Sequence, residues 1–411
     1  MSAQILLWLA GLVGLYMAWN IGANDVANAM GTSVGSKALT LRQAVVLAGI
    51  LEFAGAVLVG GYVTDTVRKG IVDPAIFADA PRLLAYGMTA ALAGAAIWLN
   101  VATLLGWPVS TTHSIVGAIT GFGIVVGGLG AISWGKLGTV VASWVVSPLT
   151  GGLAAYLVYM FIRRRVVETE DPAMAARRQA PLLVGGMLFV LTLAMLYKGL
   201  KNLKLKLLWW HSGGIAVAAA LCGNLLVRLF SRNRPPPPRG RQGMEGIFGH
   251  LQIASAAFVA FAHGANDVAN AVGPMAAVFA VIKSGTVVQK VPVPIWVLLV
   301  GGAGIVVGLA TYGYKVIATI GSNITEVTPS RGFAAEIGAA ITILVGSKLG
   351  LPLSTTHTLV GAVIGVGFAR GMSALNLGVI RSIIVSWLLT IPFAAGVAIL
   401  LFYLLRAIFG A

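Results

Sequence analysis

The chain has 411 residues, 58% of them hydrophobic and only 10% charged. A soluble domain carries roughly 25% charged residues, so a water-soluble globule is excluded and the bilayer becomes the expected solvent. The formal net charge of +16 gathers in a few loops. That reads as membrane topology with attraction to anionic lipid or an anionic substrate, not as nucleic-acid binding.

Twelve apolar segments are long enough to be spanning candidates. In chain order they cover 4–31, 42–62, 83–107, 109–130, 137–162, 181–198, 207–229, 248–273, 294–317, 333–350, 353–370 and 376–406. The first lacks a basic leader region and a small-residue cleavage site, so it reads as a retained helix. Short alternating strands of a membrane β-barrel are absent from the sequence. The single cysteine, Cys222, excludes an intrachain disulfide framework and a thiolate cluster. Small-residue helices suit a homodimer.

Two loops are rich in arginine. One holds Arg163, Arg164, Arg165, Arg177 and Arg178; the other holds Arg232, Arg234, Arg239 and Arg241. Two segments separate them, so both belong on one side, and the positive-inside rule makes that side cytoplasmic. Both termini are then outside an inner or plasma membrane. Lys198, Lys201, Lys204 and Lys206 would face outward, where interfacial lysines can snorkel.

An internal repeat organises the chain. Residues 22–29 and 264–271 both read GANDVANA; 106–113 read GWPVSTTH and 350–357 read GLPLSTTH. The first copy begins outside and the second inside. The expected fold is therefore an all-α membrane protein of two inverted-topology repeats, with broken or hairpin helices near the midplane. Residues 1–162 form the first repeat, 163–247 a connecting region with two helices, and 248–411 the second repeat.

Asn24, Asp25 and Asn28 lie deep in an apolar segment, and Asn266, Asp267 and Asn270 repeat them. An intramembrane aspartate costs about 2.5–3.5 kcal/mol on insertion scales and needs a partner. Carboxylate and amide oxygens are hard ligands suited to Na⁺ or to a proton relay. A polar clamp between helices is the plainer alternative. In the second block, Pro108 and Pro352 stand just before Ser110, Thr111, Thr112 and Ser354, Thr355, Thr356. Proline followed by hydroxyls marks a helix N-terminus, whose free N–H groups and dipole favour an anion. An ordinary interfacial cap fits the same pattern. His113 and His357 close the two blocks.

Glu52 and Glu336 stand alone in apolar runs and are not repeat mates; Glu336 aligns with Leu92. Each is a candidate for ion coupling, for gating, or for a bond between helices. His263 precedes the second GANDVANA where the first has Ile21, and reads as structural. No GxxxxGK[ST] loop is present, so ATP coupling has no support, and no enzyme motif is evident. An anion-sensing receptor lacks a loop long enough for a signalling domain; an anion channel stays open as an alternative.

The paired GANDVANA and G-x-P-x-STTH segments resemble those of the inorganic phosphate transporter (PiT) family, over nearly the whole chain and in the right order. The resemblance implies a secondary symporter that couples phosphate uptake to Na⁺ or H⁺, with no enzymatic cofactor. Phosphate would be held by Ser110, Thr111, Thr112, Ser354, Thr355 and Thr356. Asn24, Asp25, Asn28, Asn266, Asp267 and Asn270 would hold the co-transported cations. Glu52 and Glu336 match glutamates of the family, whereas Leu92 departs from relatives with a glutamate there. Sulfate carriers among bacterial members keep sulfate as an alternative anion. Bound cations would offset repulsion between phosphate and the two aspartates, and six oxygen-bearing side chains in the matched segments favour sodium over protons, since a proton relay would need fewer.

Overall fold

The structure is a computed structural model that describes residues 2–60, 71–72, 74–199, 208–287, 293–349 and 353–410. Lys201, Lys204 and Lys206, and Gly350, Leu351 and Pro352 of the second proline block, lie outside the described residues. Within those residues the fold is all helix; the one β feature is an isolated bridge between Val72 and Ile132.

The principal helices are α1 (Ser2–Gly35), α2 (Leu41–Leu58), α3 (Pro81–Leu104), α4 (Thr111–Gly127), α5 (Trp134–Ile162) and α6 (Pro172–Ala194). They continue with α7 (Trp209–Arg232), α8 (Gly240–Ser284), α9 (Ile295–Tyr312), α10 (Pro329–Lys348), α11 (Thr355–Phe368) and α12 (Leu377–Phe409). Local chemistry sets several of the starts. Thr40 and Gln43 close a capping box on α2. Proline opens α3 and α6. Asp171, Ser110, Ser354 and Asn376 accept the backbone N–H three residues on and cap α6, α4, α11 and α12.

Among the described residues, nine helices are long and apolar enough to cross a membrane. Their outer faces carry large apolar side chains, such as Leu221, Leu225 and Phe230 on α7, which suits lipid and not water. This is a multi-pass membrane protein. Twelve spans were expected, and the difference is informative. Three expected spans are not among the nine: 333–350, which is α10, and the two short helices α4 and α11, expected at 109–130 and 353–370 and of 17 and 14 residues. At 1.5 Å per residue the two short helices reach about 25 and 21 Å, short of a hydrocarbon core of about 30 Å. In the other direction, α8 runs for 45 residues where 248–273 was expected. The helix continues through Pro274.

Two helical hairpins hold the short helices. In the first, Ser133 N–H donates to Ile71 O at 2.9 Å, beside the Val72–Ile132 bridge, so the chain entering α3 meets the chain leaving α4. In the second, Asn376 N–H donates to Ile324 O at 3.0 Å and Thr325 Oγ1 to Ala374 O at 2.8 Å, tying the approach to α10 to the exit from α11. The first tip is fastened to the middle of α1, where Asn24 Nδ2 donates to Thr103 Oγ1 and to Trp107 O. It is also fastened to α12, where Trp387 Nε1 donates to Pro108 O at 2.9 Å.

Helix pairing crosses between the halves. α1 lies against α9 and α8 against α2; α5 packs on α10 and α11, and α12 on α3 and α4; α1 and α8 also touch. Glycines set the closest approaches. A Cβ on Gly22 would strike the backbone carbonyl of Ile305 in α9, and one on Gly264 that of Glu52 in α2. These matched glycines of the two GANDVANA segments let helix backbones meet where no side chain fits.

Candidate ion and substrate site

The central polar cluster is built where α1, α8 and the starts of α4 and α11 converge. Asn28 Nδ2 donates to Thr356 Oγ1 at 2.9 Å and to Asp25 Oδ1 at 3.1 Å, and Thr356 Oγ1 donates to Asp25 Oδ1 at 3.2 Å. In the matched place, Asn270 Nδ2 reaches Thr111 Oγ1 and Thr112 Oγ1, each at 3.2 Å. Each GANDVANA segment therefore bonds the hydroxyls of the other half's STTH segment. Identical eight-residue motifs on the long helices α1 and α8 place both asparagines at the hairpin tips.

The other predicted residues divide by what they touch. Ser110 and Ser354 use their oxygens as acceptors for His113 N–H and His357 N–H, at 3.3 and 3.2 Å. They cap their helices, and each hydroxyl proton is left for another partner. Thr355 and Asn266 line a cavity of about 90 Å³ together with Asn28, His263 and Glu336. Asn24 is committed to the first tip: besides its two donated bonds, its Oδ1 accepts Val109 N–H at 3.1 Å. Asn266, its mate, instead donates to Ala262 O in its own helix. The two asparagines are thus not equivalent, although their local sequences are identical.

His113 and His357 are buried and meet edge to face, with ring centroids 4.9 Å apart; His357 stacks on Trp387 at 3.8 Å. They form an aromatic contact between the hairpin tips. Glu336 sits in a cage of hydroxyls and an amide, accepting from Thr32 at 2.6 Å, from Ser33, Gln252 and, by a short contact, Ser255. A buried carboxylate so surrounded has its desolvation offset by hydrogen bonds.

Glu52 lies elsewhere, in a second cluster centred on His263. The His263 ring places Nδ1 3.1 Å from Glu52 Oε1 and Nε2 3.0 Å from Asp267 Oδ2 and 3.6 Å from Asp25 Oδ2. All four side chains are buried. The close approaches lack hydrogen-bond alignment, so Asp25 Oδ2, Asp267 Oδ2 and both Glu52 oxygens keep their lone pairs unclaimed. Asp25, His263 and Asp267 bring ligand atoms within 4.8 Å of one another. Unclaimed buried carboxylate oxygens at this spacing are what a small hard cation needs. Sequence reasoning left His263 out because Ile21 takes its place in the first repeat. The missed signal was its spacing: four residues before Asp267, it shares that residue's helix face.

With this geometry in view, the comparisons are specific. The model of the phosphate transporter family matches residues 21–398. A Pyrococcus abyssi protein assigned as a phosphate permease is 48% identical over 97% of this chain and 98% of its own length. The inorganic phosphate transporter 2-1, chloroplastic, of Arabidopsis thaliana is 47% identical over 97% of this chain and 72% of its own. A solved structure, described as the sodium-dependent phosphate transporter, superposes with a TM-score of 0.87 at 41% identity, covering 98% of this chain and 100% of that one. These proteins are transporters, not enzymes, and the chain described here belongs to the phosphate transporter family.

Proposed function

We propose that the protein is a sodium-coupled phosphate symporter that works by alternating access in the plasma (inner) membrane. The observation that carries this reading is the crossed pairing at the centre: Asn28 with Thr356, and Asn270 with Thr111 and Thr112. In this reading phosphate sits between the hairpin tips, on Thr111, Thr112, Thr355 and Thr356 and the capped N-termini behind Ser110 and Ser354. Sodium sits on the unclaimed oxygens of Asp25 and Asp267 and on the amide oxygens of Asn28, Asn266 and Asn270. Asn24 contributes by holding the first tip in place.

Coupling follows from charge. Phosphate beside two buried carboxylates is repelled, and bound cations cancel that repulsion. Anion and cation are therefore taken up together. The two halves form inverted repeats, with each hairpin entering and leaving by its own face and the tips meeting at the midplane. That arrangement exposes the site to one face at a time as the halves rock against each other. The solved sodium-dependent phosphate transporter supports sodium as the cation.

The test is uptake of labelled phosphate into proteoliposomes under an inward sodium gradient, an inward proton gradient, or neither. Accumulation above the equilibrium level with sodium alone is expected. Accumulation driven only by the proton gradient would replace sodium with protons. Sulfate uptake without phosphate uptake, or flux indifferent to both gradients, would overturn the reading.

A further inference from the structure

A separate cavity of about 690 Å³ opens at the face that carries the arginine-rich loops. Four guanidinium groups from four parts of the chain surround it. Arg163 follows α5, Arg241 is in the first turn of α8, Arg331 in the first turn of α10, and Arg370 follows α11. Three carboxylates oppose them. Glu168 pairs with Arg163 at 2.6 Å, and Glu326 is shared by Arg370 at 3.0 Å and Arg331 at 3.6 Å. The third, Glu245, also lines the cavity and bonds the start of α10, accepting from Ser330 N–H and Oγ, each at 2.8 Å. Four arginines against three carboxylates leave the cavity with one positive charge in excess, and Arg241 carries no ion pair among the described residues to offset it.

We infer that this cavity is a second anion site, distinct from the central one, for a phosphate group carried on a larger molecule. Size argues against inorganic phosphate as the ligand that fills it: 690 Å³ falls in the range of about 300–1,000 Å³ that takes organic ligands. Chemistry argues for phosphate as the group recognised. Guanidinium forks bind phosphate oxygens in pairs, and several from different directions suit a multiply charged group. The surroundings already accept an anion at a helix start, since the Glu245 carboxylate occupies that of α10. The same helices reach both sites. α8 carries Asp267 and Asn270, α10 carries Glu336, and α11 carries Thr355 and Thr356, so a ligand bridging their ends would tie together elements of the central site.

A soluble phosphate ester and an anionic lipid headgroup present the same chemistry, and one experiment separates them. Full-length protein in phosphatidylcholine nanodiscs is titrated with magnesium-free ATP. In parallel, nanodiscs containing phosphatidylglycerol are examined by native mass spectrometry for lipid retained on the protein. Arg241→Gln is exposed and unpaired, so it should fold; Arg370→Gln is the second variant, and Asn270→Ala reports on the central site. Saturable ATP binding that weakens tenfold or more in both arginine variants, and not in Asn270→Ala, assigns a soluble ester. Phosphatidylglycerol retained by the parent protein and lost from both arginine variants assigns a headgroup. If neither ligand binds saturably, or both arginine variants bind as the parent does, the arginines form only an ion-pair network and the inference fails.

Discussion

Asn28 and Asn270 each spend an amide on hydroxyls contributed by the opposite half of the chain, at 2.9 Å in one case and 3.2 Å in the other. Removing Asn270 frees Thr111 and Thr112 at once. A net hydrogen bond is worth about 0.5–1.5 kcal/mol, so losing two loosens the arrangement of these hydroxyls by about 1–3 kcal/mol, and each 1.4 kcal/mol of that order carried through to binding is tenfold in affinity. The Asn270→Ala variant is therefore expected to raise the half-saturating phosphate concentration by about tenfold in proteoliposome uptake. Asn28→Ala should do at least as much, because Asp25 also loses a donor. Half-saturation unchanged in both variants would remove these amides from substrate binding. At this scale the repeated motifs made the residues visible from sequence, and so did the cost of a buried aspartate. What they hid was the division of labour between identical copies. Asn24 holds the first hairpin tip whereas Asn266 bonds only its own helix, because the partners come from segments that differ between the halves. His263 was only half legible: its spacing from Asp267 can be read in the sequence, but Asp25 and Glu52, which it also meets, come from α1 and α2.

Helices meet here through small residues, and the element scale is where that can be tested. Gly264 faces the backbone carbonyl of Glu52, so a larger side chain must push α8 away from α2. Overpacking of this kind costs about 1–3 kcal/mol. The Gly264→Val variant is expected to melt at a clearly lower temperature in detergent. Gly186→Ala serves as the comparison, because a Cβ there meets nothing within 4 Å and alanine favours a helix; it should melt at or above the parent temperature. Equal melting of Gly264→Val and the parent would show that α2 and α8 do not depend on this contact. Most helices were legible because apolar length and capping residues are local signals: the STTH motifs placed both short helices within two residues of their starts. Their ends, and the length of α8, were not. Pro274 removes one backbone donor, yet it is buried inside a long helix held by α1, α2 and α10, and packing outweighs that local loss.

At the scale of the whole molecule, inverted topology makes a demand that no single contact can meet. The 3-10 turns at Leu129–Ala131 and Met372–Ala374 follow α4 and α11 and occupy matched places in the two halves. If the halves are inverted, these turns lie on opposite faces of the membrane. Parallel halves would put them on the same face. Met372 adjoins Arg370 and the arginine-lined cavity, so the positive-inside rule assigns it to the cytoplasm and Leu129 to the outside. Both side chains are exposed, at 56% and 63%, and the single native cysteine, Cys222, can be changed to serine. In that background, Leu129→Cys should react with a membrane-impermeant maleimide in intact cells. Met372→Cys should react only in inside-out vesicles, as should Gln242→Cys at the start of α8, which marks the arginine-rich face. Labelling of Leu129→Cys and Met372→Cys from the same side would refute the inversion and, with it, a site exposed alternately by two mirrored hairpins. Labelling from opposite sides, with Gln242→Cys matching Met372→Cys, would fix the orientation that charge alone suggested. It would also place the arginine-lined cavity in the cytoplasm, where phosphate esters are plentiful.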